Sequence, residues 1–275
     1  MTKKVASSEG LKAGSRENAT LAARLLLLLS RKPGDEEYET GTPRPNLQGA
    51  LNLLFAVFPD FGGRIFGRSI LDFGCGLGYQ AVALVKAGAK HVVGLETNPK
   101  TLNKARELAA SAGVPAGIEF TDCLEPRFQS AFDVVISQNS FEHFRYPSKT
   151  LEDMKWALKD DGCIFVTFAP PWFAPYGSHM HFFTKVPWVN ILFSEETVMA
   201  VRSHFRSDGA SRYEEVESGL NKMSLAKFER IVRASSMTLL YRRYESVKGL
   251  DFLGTIPLIR ELFVNRVSCI LQKTP

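Results

Sequence analysis

The chain has 275 residues, of which 45% are hydrophobic and 23% are charged. These proportions are ordinary for a globular protein and exclude a largely disordered chain, and the length allows one large domain that carries a sizeable insertion. The formal net charge of +5 is compatible with an acidic partner or an anionic membrane surface. The charge is spread along the chain, however, so it gives no strong reason to expect nucleic acid binding.

The first 62 residues divide into two parts by composition. Residues 1–20 are polar and without periodicity, which predicts a mobile tail. Residues 21–62 predict a helical segment and a Pro- and Gly-rich linker. Within it, the run LAARLLLLLS from Leu21 to Ser30 is too short to span a bilayer. This run predicts a helix packed on the body of the protein, and an interfacial membrane helix is the alternative.

From residue 69 onward, short apolar runs alternate with longer segments of helical periodicity. This alternation predicts a parallel sheet with crossover helices, and the nearly continuous apolar character of the strands predicts cover on both faces. The predicted strands are residues 69–73, 91–96, 118–122, 132–137 and 163–169, and the predicted helices between them are residues 79–89, 99–113 and 147–162.

The alternation is interrupted after the fifth strand, over residues 170–222. It resumes with a helix that Ser224 can cap, and then with strands near residues 237–245 and 266–273. The interruption therefore predicts an insertion in a doubly wound α/β domain.

The clearest functional signal is the glycine-rich segment ILDFGCGLGYQAVAL, residues 70–84. A predicted strand runs into three closely spaced glycines and then into a helix, so the backbone can turn tightly and approach a ligand. Glu96 ends the next strand, where its carboxylate can accept hydrogen bonds from ribose hydroxyls. A dinucleotide site requires a different glycine spacing, and Asp72 beside the loop favours a cationic nucleoside over a pyrophosphate.

These residues resemble the class I S-adenosylmethionine-dependent methyltransferases. The resemblance covers about residues 69–169 and the last two strands. It implies a Rossmann-like, doubly wound sheet of seven strands, mostly parallel with an antiparallel last strand, in a domain over residues 63–275. It also implies that S-adenosylmethionine is bound by residues of the glycine loop and the following strand ends: Asp72, Gly74, Cys75, Gly76, Gly78, Glu96, Thr97, Asp122, Cys123 and Gln138.

Residues for the methyl acceptor are sought among the histidines and in the insertion. His143 follows the fourth strand, and Tyr176, His179 and His181 lie in the insertion, so these four are the candidate catalytic residues. Seven aromatic residues between 172 and 193 predict an apolar lid over the acceptor, or alternatively a small core that belongs to the insertion itself. His179 and His181 have too few further ligands nearby for a metal site, and none is expected.

The segment GSHM, residues 177–180, has the sequence of a cloning-vector remnant, but it lies within a coherent aromatic stretch and is interpreted as native. The four cysteines are too far apart for a zinc pair or a dense disulfide framework, which predicts reduced thiols and a cytoplasmic protein.

The hypothesis from the sequence is methyl transfer to oxygen or nitrogen of a small metabolite, either a sugar, a lipid-like molecule or a secondary metabolite. The alternatives are an RNA or protein methyltransferase, a nicotinamide-dependent oxidoreductase, and a cofactor-binding protein without turnover. No DNA partner and no stable membrane insertion are expected.

Overall fold

The computed structural model describes residues 20–31, 46–216 and 219–273. The strands are β1 Ser69–Phe73, β2 His91–Leu95, β3 Ile118–Thr121, β4 Phe132–Gln138, β5 Leu158–Phe168, β6 Met237–Ser246 and β7 Val264–Lys273. The α-helices are α1 Leu21–Leu28, α2 Asn52–Val57, α3 Phe61–Ile65, α4 Tyr79–Lys86, α5 Pro99–Ser111, α6 Pro147–Ala157, α7 Val189–Leu192, α8 Glu195–Arg202, α9 Leu225–Ala234 and α10 Arg260–Phe263.

The seven strands form one sheet in the order β3-β2-β1-β4-β5-β7-β6. Strands β1 to β5 pair in parallel, whereas β7 runs antiparallel to both β5 and β6. The sequence prediction of a mostly parallel sheet with an antiparallel last strand is therefore confirmed. The chain order reverses on the two sides of β1, and ligands of doubly wound sheets bind at the carboxyl ends of the strands beside such a switch point.

Burial on both faces explains why the central strands are almost wholly apolar. On one face, the side chains of Val135 and Ile164 are fully buried against α6 and α9, whereas on the other face Ile70 and Val92 are fully buried against α4 and the helices that precede β1. Each such side chain stabilises the fold by about 1.5–3 kcal/mol relative to an exposed position. The sheet is thus fixed by one apolar core on each face, and its carboxyl edge carries the candidate site residues.

The largest error among the predicted boundaries lies between α6 and β5. The helix predicted over residues 147–162 ends at Ala157, and β5 begins at Leu158, five residues before the predicted strand. Leu158 pairs with Phe132 of β4, and the ammonium of Lys159 lies 2.8 Å from a carboxylate oxygen of Asp133. Pairing with β4 therefore overrides the helical propensity of these polar residues.

The segment between β5 and α9 folds around a third core, which also includes α1. Leu26 of α1 is fully buried there, whereas Leu21 and Leu28 on the other side of α1 are 85% and 83% exposed. The helix therefore packs on the insertion by one face only. No helix among the described residues has both the length and the apolar character needed to cross a membrane. The predicted tail, apart from residue 20, and residues 32–45 of the predicted linker lie outside the described residues.

The aromatic residues of the insertion mostly fill this third core. Phe182 and Phe183 are buried, the ring of Phe183 stacks on that of Phe205 with centroids 5.1 Å apart, and the ring of Trp172 contacts that of Tyr213 edge to face. Of the two interpretations of the aromatic cluster, the separate core matches these positions.

Candidate active site

The loop from β1 to α4 holds its glycines in left-handed backbone conformations, with φ of 80°, 53° and 80° at Gly74, Gly76 and Gly78. Packing also excludes a side chain at Gly78, because a Cβ atom there would lie 2.8 Å from Cβ of Ala105. The amide of Gly74 donates to the carbonyl of Leu95 at 2.9 Å, which fixes the loop to the end of β2. The loop therefore presents backbone to a ligand at the carboxyl edge of the sheet.

Asp72, at the end of β1, is a buried carboxyl group with an unused acceptor. Its Oδ1 accepts a hydrogen bond of 2.6 Å from Nε2 of Gln80, whereas Oδ2 has no hydrogen-bond partner among the described residues. Burial raises the pKa of Asp72 to about 7, Gln80 lowers it, and the nearby charge of Glu96 raises it. A buried acceptor of this kind is suited to a ligand that brings a cationic donor.

Glu96 follows β2 and supports the same loop. Its Oε2 accepts from the amide of Gly76 at 3.2 Å, and its Oε1 accepts from the amide of Asn98 at 2.8 Å. The carboxylate is thus oriented beside the glycine loop with acceptor capacity that remains for a ligand. Burial and the charges of two neighbouring acids raise the pKa of the Cys75 thiol, which makes it a poor nucleophile.

A cavity of about 1880 Å³ extends from the glycine loop across the carboxyl ends of the strands. Ligand pockets commonly measure about 300–1,000 Å³, so this cavity has room for a nucleoside cofactor and an acceptor together. Of the ten residues expected to hold the cofactor, nine line this cavity, and Gly78 supports it from the start of α4. The nine are Asp72, Gly74, Cys75, Gly76, Glu96, Thr97, Asp122, Cys123 and Gln138.

Two of the candidate catalytic histidines, His143 and His179, lie together in the lining of this cavity. The rings of His143 and His179 have centroids 5.2 Å apart and are inclined by 74°. Beside them, Glu142 is buried; its Oε1 accepts from the amide of Ala169 at 3.3 Å, and its Oε2 has no partner among the described residues. Burial raises the pKa of Glu142, an effect that the charge of His143 opposes.

His179 is a neutral histidine at physiological pH. Burial is the main cause that lowers its pKa to about 3; nearby His143 lowers it further, and the carbonyl of Pro170 opposes the change. Both ring nitrogens of His179 are buried and make no hydrogen bond of standard geometry with a described residue. Its ring can therefore serve a bound molecule as a hydrogen-bonding group but not as a cation.

The other two candidate catalytic residues lie outside the cavity lining. The rings of Tyr176 and His181 contact each other at 4.5 Å, and Nζ of Lys185 lies 3.0 Å from both ring nitrogens of His181. Among the described residues of the insertion, only His179 and Arg206 line the cavity. The structure thus brings His143 and His179 together and leaves Tyr176 and His181 on the insertion.

The GSHM segment is an integral part of the fold. A Cβ atom at Gly177 would lie 2.2 Å from the carbonyl oxygen of Pro171 and 2.3 Å from that of Trp172, so the chain passes too closely for any side chain. Ser178 and the side chain of Met180 are buried. His179, between them, has a left-handed backbone with φ of 58°, which places its ring at the cavity.

Sequence reasoning missed three contributors to this site. Gln80 orients Asp72, Glu142 brings a buried carboxyl group next to His143, and Arg206 reaches the cavity from the end of α8. Gln80 could have been found from its place in the first turn after the glycine loop. Glu142 could have been found from its place beside His143 after β4. Arg206 depends on how the insertion folds back, and no local pattern indicates it.

The sheet order, the glycine loop and the carboxylates at the ends of β1 and β2 match the pattern implied by the resemblance to class I S-adenosylmethionine-dependent methyltransferases. The residues present fit this cofactor, because the unused acceptor of Asp72 suits an ammonium group and Glu96 suits ribose hydroxyls. Among the described residues, no cluster of histidines, cysteines or carboxylates could hold a metal ion.

Comparisons with known proteins agree with this class. A family described as "Methyltransferase domain" matches residues 70–162. A tRNA U34 carboxymethyltransferase of Cellvibrio japonicus is 36% identical over 102 residues, which are 34% of this chain and only 30% of that relative. An uncharacterized methyltransferase of Mycobacteroides abscessus is 25% identical over 213 residues, 75% of this chain and 76% of that relative.

The structural comparison extends over most of the fold. The S-adenosylmethionine-dependent methyltransferase of Mesorhizobium loti superposes with a TM-score of 0.54 at 17% identity, covering 83% of this chain and 100% of that chain. The chain therefore contains a class I S-adenosylmethionine-dependent methyltransferase domain, and S-adenosylmethionine is the cofactor of this domain. These matches to methyltransferases give no support to the alternative of a nicotinamide-dependent oxidoreductase.

Proposed function

We propose that this protein transfers a methyl group from S-adenosylmethionine to an oxygen or nitrogen atom of a small polar molecule, with His143 as the general base. The observation that carries the proposal is that His143, His179 and Glu142 line the same cavity as the glycine loop. The proposed donor site and a set of proton-accepting groups thus share one cavity, as methyl transfer requires.

The cofactor would be held by groups that the fold already orients. Asp72 would accept from the ammonium of its methionine part, Glu96 from the ribose hydroxyls, and Asp122 from the exocyclic amine of adenine. When bound, S-adenosylmethionine supplies a methyl group that its positive sulfur makes electrophilic. The task left to the protein is to align the acceptor and take up its proton.

His143 is oriented for that proton transfer. Its Nδ1 lies 2.7 Å from the carbonyl oxygen of Gly219. A carbonyl can only accept, so Nδ1 carries the proton, and the lone pair of the neutral ring is on Nε2. Nε2 would accept the proton of the acceptor O–H or N–H as the new bond to the methyl carbon forms and the carbon–sulfur bond breaks, with its electron pair leaving on the sulfur of S-adenosylhomocysteine.

Some side-chain atoms in the cavity lining that can accept hydrogen bonds have no partner within the part of the chain that the structure describes. They favour a methyl acceptor that is rich in hydrogen-bond donors. Oε2 of Glu142 and the ring of the neutral His179 are buried without standard partners among the described residues. Buried acceptors cost stability unless a ligand or water supplies donors. A hydroxylated or aminated molecule such as a sugar derivative would supply them, whereas the chain of a lipid-like molecule would not.

The rim of the cavity gives less support to an RNA or protein acceptor. The described lining has four basic residues, Lys104, Arg145, Lys149 and Arg206, against six acids, and Nζ of Lys149 pairs with Asp153 at 2.5 Å. A surface that binds the phosphate backbone needs a continuous positive band, and its affinity falls steeply with salt. The name of the C. japonicus relative keeps tRNA as the second candidate, which the experiment below tests.

A cytoplasmic location is part of the proposal. The four cysteines are all described and form no disulfide, as is typical of proteins in a reducing compartment. Cell fractionation of the source organism, followed by immunodetection, tests this location.

The test follows a radiolabelled methyl group. The purified chain is incubated with S-adenosylmethionine labelled on the methyl carbon and with cell extract separated into small-molecule, RNA and protein fractions. We expect label in the small-molecule fraction and its loss in His143→Gln, with unchanged label in the control His204→Gln, whose side chain is exposed. Label in the RNA or protein fraction, or turnover that is unaffected by His143→Gln, contradicts the proposal.

A further inference from the structure

The segment Gly219–Asn221, here called the strap, returns from the insertion toward α9 and crosses the loop that follows β4. That loop carries Glu142 and His143. Four consecutive residues of the loop, from Phe141 to Phe144, each make a hydrogen bond to the strap. These four bonds join segments that are separated by about 80 residues in the sequence.

Asn221 makes three of these four bonds. Its side-chain Nδ2 donates to the carbonyls of Phe141 and Phe144, both at 2.8 Å, and its backbone amide donates to the carbonyl of Glu142 at 3.0 Å. Both side-chain contacts are to carbonyl oxygens, so only the NH₂ end of the amide can make them, and the orientation of the amide is fixed. The two donors hold the two ends of the loop at a set separation.

The fourth bond is the contact of 2.7 Å between Nδ1 of His143 and the carbonyl oxygen of Gly219. It acts on the imidazole directly, because it selects the tautomer in which Nε2 is the free base. Gly219 and Asn221 are two residues apart, so the bonds of Asn221 to the loop also fix where the Gly219 carbonyl meets the ring.

The strap is in turn anchored on the insertion. Lys222, the next residue, pairs with Glu195 of α8 at 2.7 Å, and its ammonium lies 5.8 Å from the ring centroid of Trp172 and 5.7 Å from that of Tyr213. The pair is about one-third exposed, so its Coulomb energy is modest. The contacts nevertheless place the strap between the core of the insertion and the loop that bears the base.

We infer that Asn221 is a positioning residue, which holds the loop of residues 141–144 so that the Gly219 carbonyl keeps His143 in the Nδ1–H tautomer with Nε2 as the base. The inference rests on the proposed function for the catalytic use of Nε2, although the tautomer itself can be measured without an acceptor. Through the strap, the fold of the insertion then determines which ring nitrogen of His143 carries the proton.

The experiment is nitrogen-15 NMR of the full chain saturated with S-adenosylhomocysteine, in which long-range proton–nitrogen correlations identify the protonated ring nitrogen. The His143 signals are assigned by their loss in His143→Gln. We expect Nδ1–H in the wild type and a mixture, or Nε2–H, in Asn221→Ala. The matched control is Asn190→Ala, because Nδ2 of Asn190 also donates to a backbone carbonyl, that of Trp172 at 2.9 Å, without contacting the loop; it should keep Nδ1–H.

Binding of S-adenosylhomocysteine by Asn221→Ala, measured by titration calorimetry, shows that the variant is folded. Should it not fold, Asn221→Ser, which keeps one donor, takes its place. With the acceptor identified by labelling, kcat of Asn221→Ala should fall by up to about 10²-fold with an unchanged KM for S-adenosylmethionine. Nε2–H in the wild type, or Nδ1–H retained in Asn221→Ala, overturns the inference. The expected tautomers with full turnover in His143→Gln would instead overturn the proposed function.

Discussion

Replacement of Asp72 by Asn tests the electrostatics of the cofactor site in the protein without ligand. Asp72 is 1% exposed, and its pKa of about 7 lies far above the ordinary value of 3.8, chiefly because burial disfavours the charged form. The folded protein therefore keeps the carboxyl protonated at pH values where the unfolded chain has ionised it. The stability that this group contributes is complete below pH 3.8 and is lost as the pH rises through about 7.

The size of the effect follows from the two pKa values. Each tenfold change in proton affinity corresponds to about 1.4 kcal/mol, so the ionised Asp72 costs the unliganded fold about 4 kcal/mol above pH 7. Asp72→Asn has no charge to bury and avoids this cost. We expect the free energy of unfolding of the variant, relative to wild type, to rise by about 4 kcal/mol between pH 4 and pH 8.

The assay is urea unfolding at a series of pH values, followed by intrinsic fluorescence. Asp208→Asn is the control, since Arg202 holds the pKa of Asp208 down to about 2. This variant should lose about 3 kcal/mol at every pH from 5 to 8, because it leaves the buried charge of Arg202 uncompensated. A difference between Asp72→Asn and wild type that is flat with pH, or that falls as the pH rises, refutes the reasoning.

The pH dependence of cofactor binding is a second test of the pKa of Asp72. If the ammonium of the cofactor contacts ionised Asp72, binding must release the proton of Asp72 below pH 7. As the pH rises toward 7, the Kd of S-adenosylhomocysteine should then fall about tenfold for each pH unit. Above pH 7 the Kd should be constant. In Asp72→Asn, the Kd should be higher and independent of pH over this range. Titration calorimetry in buffers of different ionisation enthalpy measures both the affinity and the proton released.

Three further outcomes are expected. Gly177→Ala should lose more than about 3 kcal/mol of stability in urea unfolding, because its Cβ would overlap two backbone carbonyls, whereas Gly209→Ala, at a left-handed position with open space, should lose about 1–2 kcal/mol. His143→Gln should lower kcat by about 10²–10⁴-fold with no change in cofactor affinity by calorimetry; weakened cofactor binding would point to a structural role. Leu26→Ala should cost about 2–5 kcal/mol by opening a cavity in the insertion core, while Leu28→Ala, at an exposed position, should be neutral in the same melts.

The cofactor half of the site could be predicted from the sequence because its signals are local. Asp72, the glycines and Glu96 stand at strand ends, and parallel pairing of β1 with β2 brings them together whenever the fold is formed. The same argument placed Asp122 after β3. Each of these positions follows from chain order alone, without knowledge of side-chain packing.

The residues proposed to face the methyl acceptor could not be predicted to the same depth. His179 and His181 are two residues apart and were indistinguishable by pattern, yet the left-handed backbone at His179 directs only that ring to the cavity. Asn221 had no signal at all, since its role depends on contacts about 80 residues away. The insertion folds around its own core, and such contacts are set by tertiary packing that periodicity does not record.

The packing of α1 on the insertion has a consequence for the order in which the chain folds during synthesis. Leu26 must wait for partners that lie between residues 180 and 220. At a ribosome rate of about 5–20 residues per second, the interval is roughly 8–40 s. Throughout it, a leucine-rich helix has no apolar surface to cover it, so ribosome-associated chaperones should bind this segment. The core of the insertion, which includes Met180 beside His179, can then be completed only after α1 has docked onto this later-made segment.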